Sequence, residues 1–140
     1  MSLDTLKKIM RVIIPNYKQV TFIWHGGEPL SMGVDFYKKA LEYENEYKEP
    51  TTQIENLMQT NLTLLNDELT EFLIQNGFKL GSSFDGVENE KTRGYSSKIL
   101  KGRSLLKKHG GNCGFIQVVS KKNVNTLIES YEFFKKEKIN

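Results

Sequence analysis

Four short runs rich in apolar and β-branched residues, Val20–Trp24, Ile54–Met58, Phe78–Phe84 and Phe115–Val119, recur along a chain of 140 residues. Their spacing is close to the ~30 residues that a strand–helix–strand crossover occupies, and that rhythm limits the fold more than any other feature. The runs are nearly continuous in apolar character, as in parallel strands covered on both faces. Helical patterns fill the intervals. Asp35–Tyr47 places Phe36, Ala40, Tyr43 and Tyr47 on one stripe. Asn66 has the character of an N-cap, with Asp67 and Glu68 in the first turn and Leu69, Phe72 and Leu73 as the apolar face. Asn76-Gly77 supplies a left-handed stop. Ser97–His109 carries Ile99, Arg103 and Leu106 at helical spacing and ends at Gly110-Gly111. Asn125 is predicted to cap a last helix whose Leu127, Tyr131 and Phe134 face inward. An opening helix, Asp4–Ile14, should bury Leu6, Ile9, Met10 and Ile13 and stop before Pro15.

The reading is an α/β chain: one helix, then about four βα units whose right-handed crossovers set the strands side by side and parallel. An open doubly wound sheet and an arc of a (βα) barrel both satisfy this pattern. Apolar residues at 38 % and charged ones at 26 % are ordinary for a globular domain. No apolar run approaches the ~20 residues of a membrane span. The net charge of +3 comes from lysine pairs scattered along solvated helix faces, without the interleaved aromatics of a nucleic-acid surface. The expectation is therefore no membrane and no nucleic-acid partner. Cys113 is the single cysteine, which excludes an internal disulfide, suits a reducing cytoplasmic setting, and fits a small buried residue opening a strand.

Ligands of βα architectures bind at the carboxyl ends of the strands. The residues there are Gly26-Gly27-Glu28-Pro29, Gln59-Thr60-Asn61, Ser83-Phe84-Asp85-Gly86 and Ser120-Lys121-Lys122-Asn123. In the first segment, two glycines allow close backbone approach to a ligand, a carboxylate follows, and Pro29 fixes the exit. A carboxylate beside exposed carbonyls suits a ligand ammonium group; a phosphate would want helix N–H groups and a lysine.

These segments carry a resemblance. Val20–Leu30, reading VTFIWHGGEPL, resembles the second strand and GGEP motif of radical S-adenosylmethionine (SAM) enzymes. Met58–Leu65, MQTNLTLL, is similar to their QTNGTLL segment, and Gly81–Gly86, GSSFDG, to their SxDG segment. The likeness covers essentially the whole chain and is nearest to the SPASM-type subgroup, which includes anaerobic sulfatase-maturating enzymes and ribosomal-peptide modifiers. It implies a partial, parallel-stranded (βα) barrel, with residues 1–140 an internal piece of the core domain. On that reading the first strand with its CxxxCxxC loop, the last strand and a cysteine-rich C-terminal extension lie outside this sequence.

The resemblance also implies roles. Gly26, Gly27 and Glu28 would hold the SAM amino group, with Pro29 completing the motif. Ser83 would hydrogen-bond SAM, and Arg93 would meet its methionyl carboxylate, although the interval between them is slightly short. Gln59 and Asn61 would line the cavity near the adenosyl group or substrate, and Asp85 either lines it too or serves only as a turn residue with Gly86. Leu62 stands where the family has glycine, so a different backbone conformation or a shifted register is expected there. In the intact parent, a 4Fe–4S cluster would reduce SAM to a 5′-deoxyadenosyl radical that modifies a peptide or protein side chain. This chain has no cluster ligands, so it is expected to be inert alone, to bind neither cofactor tightly, and to self-associate through open sheet edges. The rival reading is a stand-alone α/β nucleotide-binding or interaction module without catalysis.

Overall fold

The computed structural model describes residues 1–139. Its elements run α1 (Leu3–Ile13), β1 (Gln19–Trp24), α2 (Gly33–Tyr47), β2 (Gln53–Gln59), α3 (Asp67–Gln75), β3 (Lys79–Ser83), α4 (Asn89–Thr92), α5 (Ser96–Lys108), β4 (Cys113–Ile116) and α6 (Leu127–Lys136). All strand pairs are parallel, in the order β1-β2-β3-β4. A doubly wound sheet reverses its strand order at a switch point. Sequential order, with α1 touching α2, α2 touching α3 and α3 touching α5, is that of a partial (βα) barrel preceded by a helix.

Register places Trp24 beside Met58, Met58 beside Leu80 and Leu80 beside Cys113. These four, all buried, form one row under the helices. Tyr37 from α2 packs edge-on against Trp24 and Phe78, with ring centroids 5.3 Å and 5.7 Å away. Burial alternates along the strands, so only the helix-facing side is covered, contrary to the two-sided burial expected from the apolar runs. The other side carries Gln59, Ser83 and an ion pair between Lys79 and Glu55, and it leaves Ile23 and Ile116 exposed. Among the described residues the outer edges of β1 and β4 are unpaired.

Asn66 caps α3 as expected, accepting from the Leu69 N–H at 2.8 Å. The other departures are physical. In α1 the buried residues are Leu6 and Met10, with Ile14 buried in the short 3₁₀ turn that follows, whereas Ile9 is exposed. The fourth run forms a strand over Cys113–Ile116 rather than Phe115–Val119, because its partner β3 ends at Ser83, opposite Ile116. Asn125 does not cap α6, and Tyr131 points to solvent. Asn123 organises that turn instead, accepting from Ser120 N–H and donating to the Val118 carbonyl. Phe134 does face inward, packing with Phe133 on Phe84, and the fully buried residue of α6 is Ser130, which seats against Gly86.

A polar chain lies inside this layer. The Trp24 indole donates to Asn56 Oδ1 at 2.8 Å, and the Asn56 amide donates to both oxygens of Glu44, at 3.0 Å and 3.2 Å. Burial raises the Glu44 carboxyl above its ordinary 4.5, against the opposing pull of Asn56 and Lys48. A raised folded-state value means that the folded chain holds the proton more tightly, so this contribution to stability is present below the ordinary value and is lost as pH rises through the folded one. Glu44→Gln is expected to flatten the melting temperature against pH just above 4.5, as thermal melts across that window would read.

Candidate functional site

The chain leaves β1 through His25 into Gly26 and Gly27, both in the left-handed region with φ of 89° and 61°. A Cβ there would meet nothing within 4 Å, so backbone conformation, not space, selects glycine. The turn delivers Glu28 back over the strand ends. Its Oε1 accepts from Leu30 N–H at 3.1 Å, capping the 3₁₀ turn Pro29–Met32, and from the Thr60 hydroxyl; Oε2 accepts from Asn61 N–H at 2.9 Å. The buried Tyr37 hydroxyl donates to the Pro29 carbonyl at 2.8 Å and pins the exit. Three of the roughly four acceptor positions of the Glu28 carboxylate are thereby filled from the chain itself, and about one is left.

The loop after β2 is locked from within. Asn61 Oδ1 accepts from the Thr63 N–H and hydroxyl, and Leu62 takes φ 61°, a conformation that favours glycine. Leu62 therefore adopts a left-handed turn, its side chain buried against α5 at Gly102. A Cβ at residue 102 would collide with the Leu62 carbonyl and sit 2.9 Å from its Cβ. The glycine on the facing helix thus admits the backbone of this turn as well as the Leu62 side chain. At β3, the Gln59 side chain lies over Gly81, with its amide 3.5 Å from Ser83 Oγ.

Beyond β3 the carboxylate of Asp85 is buried. Oδ1 accepts from Val118 N–H at 3.0 Å, and Oδ2 pairs with Arg93 Nε at 2.9 Å. Burial pushes its carboxyl up, but hydrogen bonds from Val118 and Thr92 and the Arg93 guanidinium outweigh this and hold it below the usual range. Asn89, fully buried, accepts from Asp85 N–H and donates to the Gly94 carbonyl and Ser96 Oγ. It ties the segment 85–96 into one unit.

These loops enclose a cleft of about 330 Å³ lined by Gly27, Glu28, Gln59, Asn61, Ser83 and Arg93, along with His25, Thr60, Tyr95 and others. Six of the nine residues singled out in the sequence are thus brought together. Gly26 belongs to the turn that carries Gly27 and Glu28, Pro29 is buried, and Asp85 lies beneath Arg93. Sequence reasoning missed Thr60, which sits between two named residues and braces Glu28, and it missed Tyr37, Asn89 and Tyr95. A larger groove of about 630 Å³ between the start of α3 and α5, lined by Leu62, Leu65, Lys98 and Lys101, adjoins the cleft at Thr63 but contains none of the nine residues.

The cleft is bipolar. Glu28 offers an anionic wall and Arg93 a cationic one, at the carboxyl ends of parallel strands. Over 125 residues the chain is 40 % identical to the serine-type anaerobic sulfatase-maturating enzyme of Bacteroides thetaiotaomicron, a match covering 84 % of this chain and 30 % of that protein. The chain belongs to the radical SAM family, in its sulfatase-maturase branch. A second member of this family, the serine-type enzyme of Klebsiella aerogenes, is 36 % identical over 110 residues, 73 % of this chain and 27 % of that enzyme. The family fold is the same: the structure of native anSMEcpe with bound AdoMet superposes with a TM-score of 0.90 at 24 % identity, covering 99 % of this chain and 40 % of that one. The chain therefore spans under a third of the length of these two family members. No protein-family model matches it.

Two groups that the family implies can be tested against the residues present. The methionyl end of SAM fits: an open acceptor position on Glu28 and a guanidinium edge on Arg93 face one cleft. An iron–sulfur cluster does not fit. Such a cluster takes three or four thiolates, the chain has the single buried Cys113, and among the described residues no group of three His, Cys, Asp or Glu side chains could hold a metal. No helix among them is long and apolar enough to cross a membrane.

Proposed function

We propose that this chain forms the SAM-binding wall of a radical SAM protein that modifies peptide or protein side chains, as sulfatase-maturating enzymes do. The opposed Glu28 and Arg93 groups opening on one cleft carry the reading, because a free amino acid end is a zwitterion needing both. The Gly26 and Gly27 carbonyls and the remaining acceptor position on Glu28 would take the ammonium, Arg93 the carboxylate, and Ser83 a further polar atom. Gln59 and Asn61 form the wall nearest the sheet. SAM, if bound, would supply the radical chemistry, and this chain's residues would bind it, orient it and exclude water. A solved relative, native anSMEcpe, was captured with AdoMet and the Cp18Cys peptide, which supports a peptide as the class of substrate.

Titration of the ¹⁵N-labelled chain with S-adenosylhomocysteine tests this. Weak binding is expected, with shifts concentrated at Gly26–Glu28, Asn61, Ser83 and Arg93. Shifts confined to the groove of Lys98 and Lys101, or none at millimolar ligand, would remove the proposal.

A further inference from the structure

Arg93 meets Asp85 through one edge only. Its Nε is 2.9 Å from Asp85 Oδ2, and among the described residues the outer nitrogens of the fork have no protein acceptor, although the side chain is 31 % exposed and lines the cleft. Arg–carboxylate pairs are frequently bidentate, with two parallel N–H···O bonds. Here the second oxygen of Asp85 is taken by Val118 N–H, and the backbone of the same residue is held as well: its N–H donates to Asn89 Oδ1, and its carbonyl accepts from the Gln117 amide. Asp85, 4 % exposed, is thus fixed on three sides before Arg93 arrives. A guanidinium gripped at Nε by a fixed carboxylate cannot rotate about its last bonds without breaking that contact, so its outer edge stays turned to the cleft.

We propose that Asp85 is a positioning residue that aims Arg93 at the carboxylate of the cleft ligand, with the segment after β4 as its anchor. The inference rests on the SAM-site reading above and adds to it the residue that orients the arginine. Just past the end of β4, Gln117 and Val118 hold Asp85 in place.

The test uses two probes on the full chain: S-adenosylhomocysteine, which carries the amino acid end, and 5′-methylthioadenosine, which lacks it. Asp85→Asn keeps the side-chain shape and an acceptor for Val118, so the fold is retained, and a ¹⁵N–¹H spectrum checks this at α1 and α2. The wild type should prefer S-adenosylhomocysteine. Asp85→Asn should weaken that ligand roughly tenfold, about the effect of losing one charge-assisted contact, and leave methylthioadenosine unchanged. Arg93→Ala should match it, and the double variant should lose nothing more. Equal losses for both ligands would reduce Asp85 to a structural part, and full retention of the preference in Asp85→Asn would overturn the positioning role alone. A wild type that does not distinguish the probes would overturn the site reading, and this inference with it.

Discussion

Gly86→Ala is expected to lower the stability of the chain by about 2–4 kcal/mol, from overpacking and a left-handed backbone imposed on a residue with a Cβ. Gly86 has φ 65°, and a Cβ there would overlap the Ser130 side chain and lie 3.2 Å from the Ser130 Cα. Ser130 is fully buried, and its hydroxyl accepts from Val87 N–H at 3.3 Å, so it has nowhere to retreat. The two causes can be separated. Ser130→Gly removes the overlapping atoms but not the backbone strain, so the double variant should recover about half of the loss. Urea unfolding of the two single variants and the double variant reads this directly. A Gly86→Ala chain within ~0.5 kcal/mol of the wild type would show that α6 does not seat on the β3 loop as described.

Glu28→Ala should be the most damaging change at the cleft, costing about 2–3 kcal/mol and abolishing binding of S-adenosylhomocysteine. The carboxylate is the common acceptor for Leu30 N–H, the Thr60 hydroxyl and Asn61 N–H, and Leu30 and Thr60 are buried. Hydrogen bonds to a charged group contribute about 1.5–3 kcal/mol each, and donors stranded away from water keep their desolvation cost. Water can reach Asn61, which is exposed, so the total stays below the sum of three. Glu28→Gln should fall between, since one carbonyl oxygen cannot serve three donors and the new amide N–H₂ faces one of them. Denaturant melts and the same ligand titration check both effects. A stable Glu28→Ala chain that still binds the ligand would mean that this carboxylate is neither brace nor contact.

Much of this was legible in the residues. The apolar rhythm gives four parallel βα units because strand-like runs spaced by about a crossover length, with a helical pattern in each interval, pair side by side and parallel, and Asn66 declares its helix start because its side chain can reach the Leu69 N–H. The cleft was legible through Gly26-Gly27-Glu28 because two left-handed residues in succession demand glycine. Local chemistry also explains why Asn125 and Tyr131 misled. Asn123 and Asn125 are equally good turn formers in sequence, and the choice between them depends on Val118 and Ser120 being near. Likewise Tyr131 is left exposed although Phe134, on the same expected stripe, packs on Phe84 and Phe115, and Ser130 is the side chain buried against Gly86.

The amino-acid sequence by itself determined the element types, their order, the turn that carries Glu28 and the family to which the chain belongs, because each depends on short-range conformational preference or on motif spacing. The apolar pattern left two βα architectures open; the motif resemblance pointed to the partial barrel, and the strand order bears it out. Tertiary structure alone decided that Leu62 is housed by Gly102, and that Arg93 faces the cleft while Asp85 lies behind it. Each of these is a contact between residues distant in the chain, governed by shape and by competition for hydrogen-bond partners, and no local pattern records the winner.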